Sequence, residues 1–291
     1  MNEDRASDDS VSVIVTTRNS IRTIEPCIRS IRAQDHPRLE IVLVDNRSDD
    51  GTLEAAAPLV DVLIAAGPER SAQRNVGIAG SRGRYVLVVD SDMILQPGVI
   101  GEAVRISRRT GAQAIGIPER SFGQGFWARC KALERSLYPK DEVLSGARFF
   151  ARDHLLGIGG YDENLVLGED WDLSLRAAGG RLTAFTDALI LHDEGKLRLS
   201  DVARKKFYYG RFLLGFVRKH GRAALARLNP ARGALLRGFG ILAASPPLAA
   251  GLLVMKSTEA VAGVSGMVYQ VAAGVLWHRL RRPLHRNQLL L

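Results

Sequence analysis

The sequence is poor in cysteine and in aromatic residues, and its last third is almost free of acid. Its two cysteines, Cys27 and Cys130, have neither the number nor the spacing of a disulfide framework or a zinc site. Both are expected to be small, reduced core residues. There is no glycine-rich phosphate loop. No G-x-G-x-x-G follows the first apolar run and no G-x-x-x-x-G-K-[ST] occurs anywhere, which argues against a dinucleotide dehydrogenase and a P-loop NTPase. Residues 1–10 lack a basic stretch followed by an apolar one, so they read as a disordered lead and not as a secretory signal. No internal repeat is visible.

Charge is present in plenty but unevenly spread. The 291 residues carry a net +9. From Lys196 onward there are 17 basic residues against Asp201 and Glu259, a net +15; the preceding 195 residues have 23 basic against 29 acidic, a net −6. Two regions with different partners are expected: a domain over 11–195 and a basic tail over 196–291. A basic tail suits an anionic membrane surface or nucleic acid, and the apolar runs inside it favour membrane over nucleic acid.

Hydropathy alternates regularly in the first region. β-Branched runs at Val11–Thr17, Glu40–Asp45, Asp61–Ala65 and Arg84–Asp90 predict strands. Between them, Ile21, Ile24, Ile28 and Ile31 fall on one helical face that Pro37 stops, Asp49-Asp50-Gly51 turns the chain into a short helix, and Arg70–Ser81 reads as another helix. Strand and helix in alternation predict an α/β fold with a mainly parallel sheet. Farther on, Pro97–Thr110 and Gly168–Ala178 read as helices, and Gln113–Pro118, Ala147–Ala151 and Leu182–His192 as strands. Ser121–Glu142 has no clean period and is expected to be a mobile loop or helix over a cleft.

Asp90-Ser91-Asp92 ends the strongest predicted strand, and open α/β sheets bind ligands beyond the carboxyl ends of their strands. Two carboxylates one residue apart can face one hard cation, Mg²⁺ or Mn²⁺. In isolation such a pair is an ordinary solvated turn; the preceding Val86–Val89 run favours the metal reading. Glu169-Asp170 opens a predicted helix, where carboxylates are also common caps. His192 ends a predicted strand, where a structural role is the ordinary one.

In register, five segments carry a resemblance. They are 11–19 (VSVIVTTRN), 40–52 (EIVLVDNRSDDGT), 74–77 (RNVG), 85–92 (YVLVVDSD) and 168–176 (GEDWDLSLR). Over about residues 11–192 the sequence resembles the family 2 glycosyltransferases, whose nucleotide-sugar-binding fold is called GT-A. The resemblance implies an inverting enzyme using a UDP- or GDP-sugar with Mn²⁺ or Mg²⁺. It implies nucleotide contacts from Thr16, Thr17, Asn19, Asp45, Arg74, Asn75 and Asp90, and a cation on Asp92 with Asp90 and His192. It implies Asp170 as the general base, Glu169 as an acceptor-orienting residue and Trp171 as a sugar-stacking or packing residue. Capping and turn chemistry is the alternative for Asn19 and Asp45.

Leu197–Lys219, with Phe207, Tyr208, Tyr209, Phe212 and Phe216, is expected to be a basic helix on anionic headgroups. Gly238–Met255 and Ala260–Trp277 are uncharged and joined by Lys256–Glu259, and are expected to form an apolar hairpin over about 238–277. Arg237 before it and Arg279, Arg281, Arg282 and Arg286 after it would keep both ends on the cytoplasmic face. The expected acceptor is accordingly lipid-linked or membrane-proximal, or a small molecule; without insertion the protein would be cytoplasmic. The rival readings are a soluble natural-product glycosyltransferase, a nucleotidyltransferase and a non-catalytic nucleotide-sugar-binding protein.

Overall fold

A computed structural model describes residues 9–138, 146–180, 182–224 and 239–281, with side chains to residue 273. The expected disordered lead lies mostly outside the described residues. Strands β1 (Val11–Thr17), β2 (Leu39–Asp45) and β3 (Val62–Ala65) alternate with helices α1 (Ile24–Arg32), α2 (Thr52–Ala56) and α3 (Arg70–Gly80), leading into β4 (Tyr85–Asp90). β5 (Met93–Leu95), α4 (Val99–Thr110), β6 (Ala114–Gly116), β7 (Glu119–Gln124) and α5 (Gly125–Ser136) follow. β8 (Ala147–Ala151), α6 (Arg152–Gly157), α7 (Glu169–Ala177) and β9 (Ile190–Lys196) complete the domain.

The main sheet has the order β3-β2-β1-β4-β8-β6. Its first four strands are parallel, and β8 runs antiparallel between β4 and β6. The period-2 pattern divides the core in two. Val11, Val13, Val15, Ile41, Leu43, Leu87 and Val89 face the apolar side of α1 and α4. Ile14, Val42, Val44, Val86 and Val88 face α3, α6 and α7. Gly77 lets α3 close onto this second face, since a Cβ there would lie 2.4 Å from Ile14 Cγ2.

Of the two alternatives expected for Ser121–Glu142, the helix forms, as α5, but a strand precedes it. The segment's start belongs to β7, in a small sheet of order β5-β9-β7, and α5 packs against β7. Residues 139–142 lie outside the described residues. The expected strand Leu182–His192 is displaced: only an isolated bridge at Phe185 precedes β9. β9 runs into charged residues because β5 and β7 flank it and the site uses its side chains.

The tail is folded onto the domain. The expected single helix Leu197–Lys219 is two, α8 (Leu199–Gly210) and α9 (Leu213–His220). α9 docks on α7: Phe216 is buried against Trp171, and Lys219 pairs with Asp172 at 2.8 Å. Lys219 and Phe216 are therefore held by protein and not by headgroups. After α10 (Phe239–Ala243), the expected hairpin is instead one helix, α11 (Pro246–Arg281). The link Lys256–Glu259 stays helical because both charges find partners. Lys256 reaches Glu134 on α5 at 2.8 Å and Glu259 at 2.6 Å, and Glu259 faces Lys206 on α8 at 3.6 Å.

α8 and α11 meet backbone to backbone. A Cβ on Gly266 would lie 2.0 Å from the Phe207 carbonyl oxygen, whereas one on Gly263 would meet nothing within 4 Å. Gly266→Ala is expected to cost about 1 to 3 kcal/mol by forcing the helices apart. Gly263→Ala is expected to be neutral or stabilising by up to about 1 kcal/mol through helix propensity. Chemical denaturation of the two variants checks the pair; equal effects would contradict the packing described.

Candidate active site

The parallel register brings Thr17 beside Asp45 and Thr16 beside Asp90 at the carboxyl edge of the sheet. A cavity of about 290 Å³ opens there, walled by Thr16, Thr17, Asp90, Asp92 and His192. Arg70 of α3 and Lys205 of α8 reach it from the sides.

Arg74 organises the ground beneath it. Its side chain is fully buried, with one nitrogen 2.8 Å from Asp90 and another 2.7 Å from Asp170 and 3.4 Å from Glu169. The Tyr161 ring lies under the guanidinium at 5.0 Å. One buried cation thus joins the end of β4 to the start of α7. Burial disfavours the Arg74 charge, but Asp170 and Asp90 outweigh it and hold the pKa above its ordinary value. Burial likewise pushes the Asp90 carboxyl upward, but Arg74 and Arg148 outweigh it and hold the pKa far below the ordinary value. Glu169 goes the other way. Burial and the neighbouring Asp170 charge raise its pKa, against Arg70 at 3.1 Å and Arg74.

α7 starts after Gly168, which adopts φ 76°, and no side-chain cap hydrogen bond forms there. The Asp170 carboxylate points to Arg74 and keeps 35% of its surface exposed. The capping alternative for Asp170 is therefore not its hydrogen-bonded role.

A second cluster flanks Asp92. Glu119 of β7 receives Arg148 at 2.7 Å and Arg135 at 2.6 Å, and lies 3.3 Å from His192 Nδ1. His192 Nε2 lies 3.3 Å from Asp92 Oδ2. Burial disfavours the imidazolium, but hydrogen bonds to Asp92 and Glu119 outweigh it and raise the His192 pKa to about 9. Asp92 Oδ1 and Thr17 Oγ1 are buried without a hydrogen-bond partner among the described residues.

Of the expected cation triad, Asp92 and His192 lie side by side, while Asp90 pairs with Arg74 and Arg148. Among the described residues no three of His, Cys, Asp and Glu gather as a metal site. Asp92 and His192 remain adjacent, with an unpartnered Asp92 oxygen. The free Asp92 oxygen fits Mn²⁺ or Mg²⁺, ions that keep water and phosphate oxygens in the rest of their shell, and His192 would join it only on giving up the proton that Asp92 and Glu119 favour.

Residues 12–154 match the model of glycosyl transferase family 2. This match places the segment over residues 12–154, just under half of the chain, in glycosyl transferase family 2. The succinoglycan biosynthesis protein ExoO of Rhizobium meliloti is 30% identical over 201 residues, covering 59% of this chain and 57% of that protein. The chain thus spans little more than half the length of that relative. The glycosyltransferase AglE of Haloferax volcanii is 25% identical over 220 residues, covering 69% and 72%. In fold, the chain is similar to a mannosyltransferase of Pyrobaculum calidifontis solved with GDP-Man and Mn²⁺. The TM-score is 0.57 at 22% identity, over 94% of this chain and 88% of that one.

Set on this glycosyl transferase domain, the expected residues separate into two groups. Thr16, Thr17, Asp90, Asp92 and His192 wall the cavity, and Arg74 with Asp170 and Glu169 lies beside it. Asp45 does not wall it: its carboxylate accepts the Ser48 amide at 2.8 Å and the Ser48 hydroxyl at 2.5 Å. Asn19, at φ 50°, ties the β1 and β2 loops by donating its amide to Ser48 and accepting from the Asp49 amide. Asn75 turns away, donating to the Tyr161 carbonyl and Glu163, because neighbours in a helix point about 100° apart. Trp171 is buried between Phe216 and His220 and packs there.

Other site residues went unforeseen. Arg70 was legible, since it stands one helical turn before Arg74. Arg148 and Glu119 are charges in or beside apolar strands, which is a weak signal. Lys205 carried no local signal as a cavity residue, nor did Tyr208 and Tyr209, which line a smaller cavity of about 140 Å³ with Glu69, Arg70 and Glu169. Tyr209 accepts from Arg70 at 2.9 Å and Tyr208 donates to Glu69 at 3.1 Å, so α8 is latched over the start of α3.

Proposed function

We propose that this chain transfers a sugar, with inversion, from a UDP- or GDP-sugar to an acceptor hydroxyl. The carrying observation is the Arg74 bridge between Asp90, at the wall of the cavity, and Asp170, the carboxylate beside it. Three enzymes or structures of this kind give the reading its support: a relative named as a glycosyltransferase, a solved neighbour with GDP-Man and Mn²⁺, and S. aureus TarS solved with UDP-GlcNAc, 17% identical at a TM-score of 0.52.

In this reading the unpartnered Thr17 hydroxyl and Asp90 contact the nucleoside, while Arg70 and Lys205 bring positive charge to the diphosphate. Asp92 would hold Mn²⁺ or Mg²⁺, joined by His192 once the cation has displaced its proton, and the cation would supply charge neutralisation of the leaving diphosphate. Asp170 accepts the proton of the acceptor hydroxyl as its oxygen bonds to the anomeric carbon. The bond from that carbon to the diphosphate oxygen breaks, and the nucleoside diphosphate leaves with the electron pair. Glu169, kept closer to neutrality by burial, orients the acceptor from the smaller cavity. The basic tail and the apolar surface of α11 support an acceptor that is lipid-linked or membrane-proximal, worked on at the cytoplasmic membrane face.

The metal assignment has its own test. Asp92→Asn keeps the side-chain volume and removes the anionic ligand. It is expected to weaken Mn²⁺-dependent binding of UDP or GDP by about 10- to 100-fold while leaving metal-free binding unchanged. Titration calorimetry with and without Mn²⁺ measures both; an unaltered Mn²⁺ response would remove Asp92 from the site.

A further inference from the structure

The long helix α11 has two opposite faces. Gly251, Leu252, Met255, Glu259 and Gly266 are buried, inward, along α5 and α8. About half a turn away, at about 100° per residue, lie Leu253, Val254, Val261, Val264, Val268 and Val271, each between 46% and 70% exposed. Beside them Tyr269 is exposed under the Arg211 guanidinium, 5.8 Å from its ring centroid. An apolar stripe of this length on a folded surface marks a contact site.

We propose that this stripe is a docking face for an anionic lipid surface, on which α11 lies flat without crossing the bilayer. The inference extends the functional reading above only in its placement of the acceptor at a membrane.

Pro246–Ala273 is long and apolar enough to cross a bilayer, with a mean hydropathy of 1.3. Its middle forbids it. Lys256 and Glu259 are tied to Lys131 and Glu134 of α5 and Lys206 of α8. Crossing would carry this charged cluster into hydrocarbon or strip α11 from the domain that buries its other face. A second copy of the chain is disfavoured by charge. Two chains of net +9, each with its basic excess in the tail, would be brought together, whereas anionic headgroups are attracted by the same charge. The Tyr269–Arg211 pair, an amphipathic ring with a cation over it, suits the headgroup level.

The test uses the full chain and does not read turnover, so a failed glycosyl transfer assay leaves it standing. Leu253→Cys, Val261→Cys and Val271→Cys are each labelled with an environment-sensitive fluorophore; native Cys27 and Cys130 are buried and escape the label. Vesicles of phosphatidylcholine with phosphatidylglycerol are added. All three labels are expected to shift to the blue and to be quenched equally by spin labels near the headgroups. Binding is expected to fall at least about tenfold in pure phosphatidylcholine, since each basic residue near an anionic surface contributes roughly a fivefold factor. The double variant Val261→Asp, Val264→Asp is expected to lose binding by about tenfold or more with an unchanged thermal transition. Quenching that deepens steadily along the helix would show a crossing segment and overturn the proposal. So would unchanged vesicle binding of the aspartate variant with a dimer-to-monomer change in sedimentation, which would make the stripe a self-interface. Absence of vesicle binding by the folded wild-type chain would overturn it as well.

Discussion

Arg74→Met is expected to be the most damaging single substitution in the domain. It removes a fully buried cation and leaves Asp90, Asp170 and Glu169 facing one another. Breaking a buried ionic cluster from one side costs about 3 to 5 kcal/mol, a large share of the roughly 5 to 15 kcal/mol that holds a domain together. The thermal midpoint should drop by about 6 to 20 °C. Arg74→Lys should fall between, since an ammonium keeps the charge but has no fork to hold two carboxylates at once. The pH dependence gives the sign. In the wild type Asp90 is held below its ordinary value of 3.8, so its contribution is present above about pH 4 and is lost as pH falls through the folded-state value. In the variant the crowded carboxylates repel when ionised, and protonation relieves them. The gap between wild type and variant should therefore shrink toward acid. A gap that is constant with pH would mean that Arg74 acts by packing alone.

Asp170→Asn is expected to leave the fold intact and remove turnover. Asn keeps the volume and can still accept from Arg74, but it cannot take a proton. Loss of a general base costs about 10² to 10⁴ in rate, roughly 3 to 5 kcal/mol of transition-state stabilisation. Donor affinity should barely move, because Thr17, Asp90 and the Asp92–His192 pair are untouched. A purely structural carboxylate predicts the reverse pattern of near-normal turnover, in which case Glu169 becomes the residue to examine. Measuring kcat and donor affinity on the same preparation separates the two.

The first half of the fold was readable because its strands, buried on both faces, are continuous β-branched apolar runs and its helices repeat on 3.6. Val11–Thr17 and Arg84–Asp90 are examples where local pattern and global burial agree. β7 and β9 were obscured because their residues serve the site: Glu119, His192 and Asp193 interrupt the apolar pattern by which strands are recognised. The tail misled for a different reason. Lys256 and Glu259 look like a turn between apolar runs until α5 and α8 supply their partners, which are about 50 to 125 positions earlier in the chain. In the site, Asp90, Asp92 and Asp170 could be singled out from the sequence. The meeting of Asp90 and Asp170 on Arg74 could not, because it joins positions 16 and 96 residues away from that arginine. Asn75 shows the limit of reasoning from neighbours. It shares a motif with Arg74 but, one helical position on, serves the loop at Tyr161 instead of the cavity.

The central claim is that the cavity at the sheet edge supports sugar transfer from a nucleoside diphosphate sugar. The most direct measurement incubates the full-length chain with a panel of UDP- and GDP-sugars, with Mn²⁺, with Mg²⁺ and with chelator, in the presence of a bacterial lipid extract. The products to be identified are the nucleotides released. The account predicts metal-dependent release of UDP or GDP from one donor class and its loss in Asp170→Asn. Release of pyrophosphate from a nucleoside triphosphate and sugar phosphate would contradict it, as would a folded chain that releases no diphosphate from any donor and binds neither UDP nor GDP.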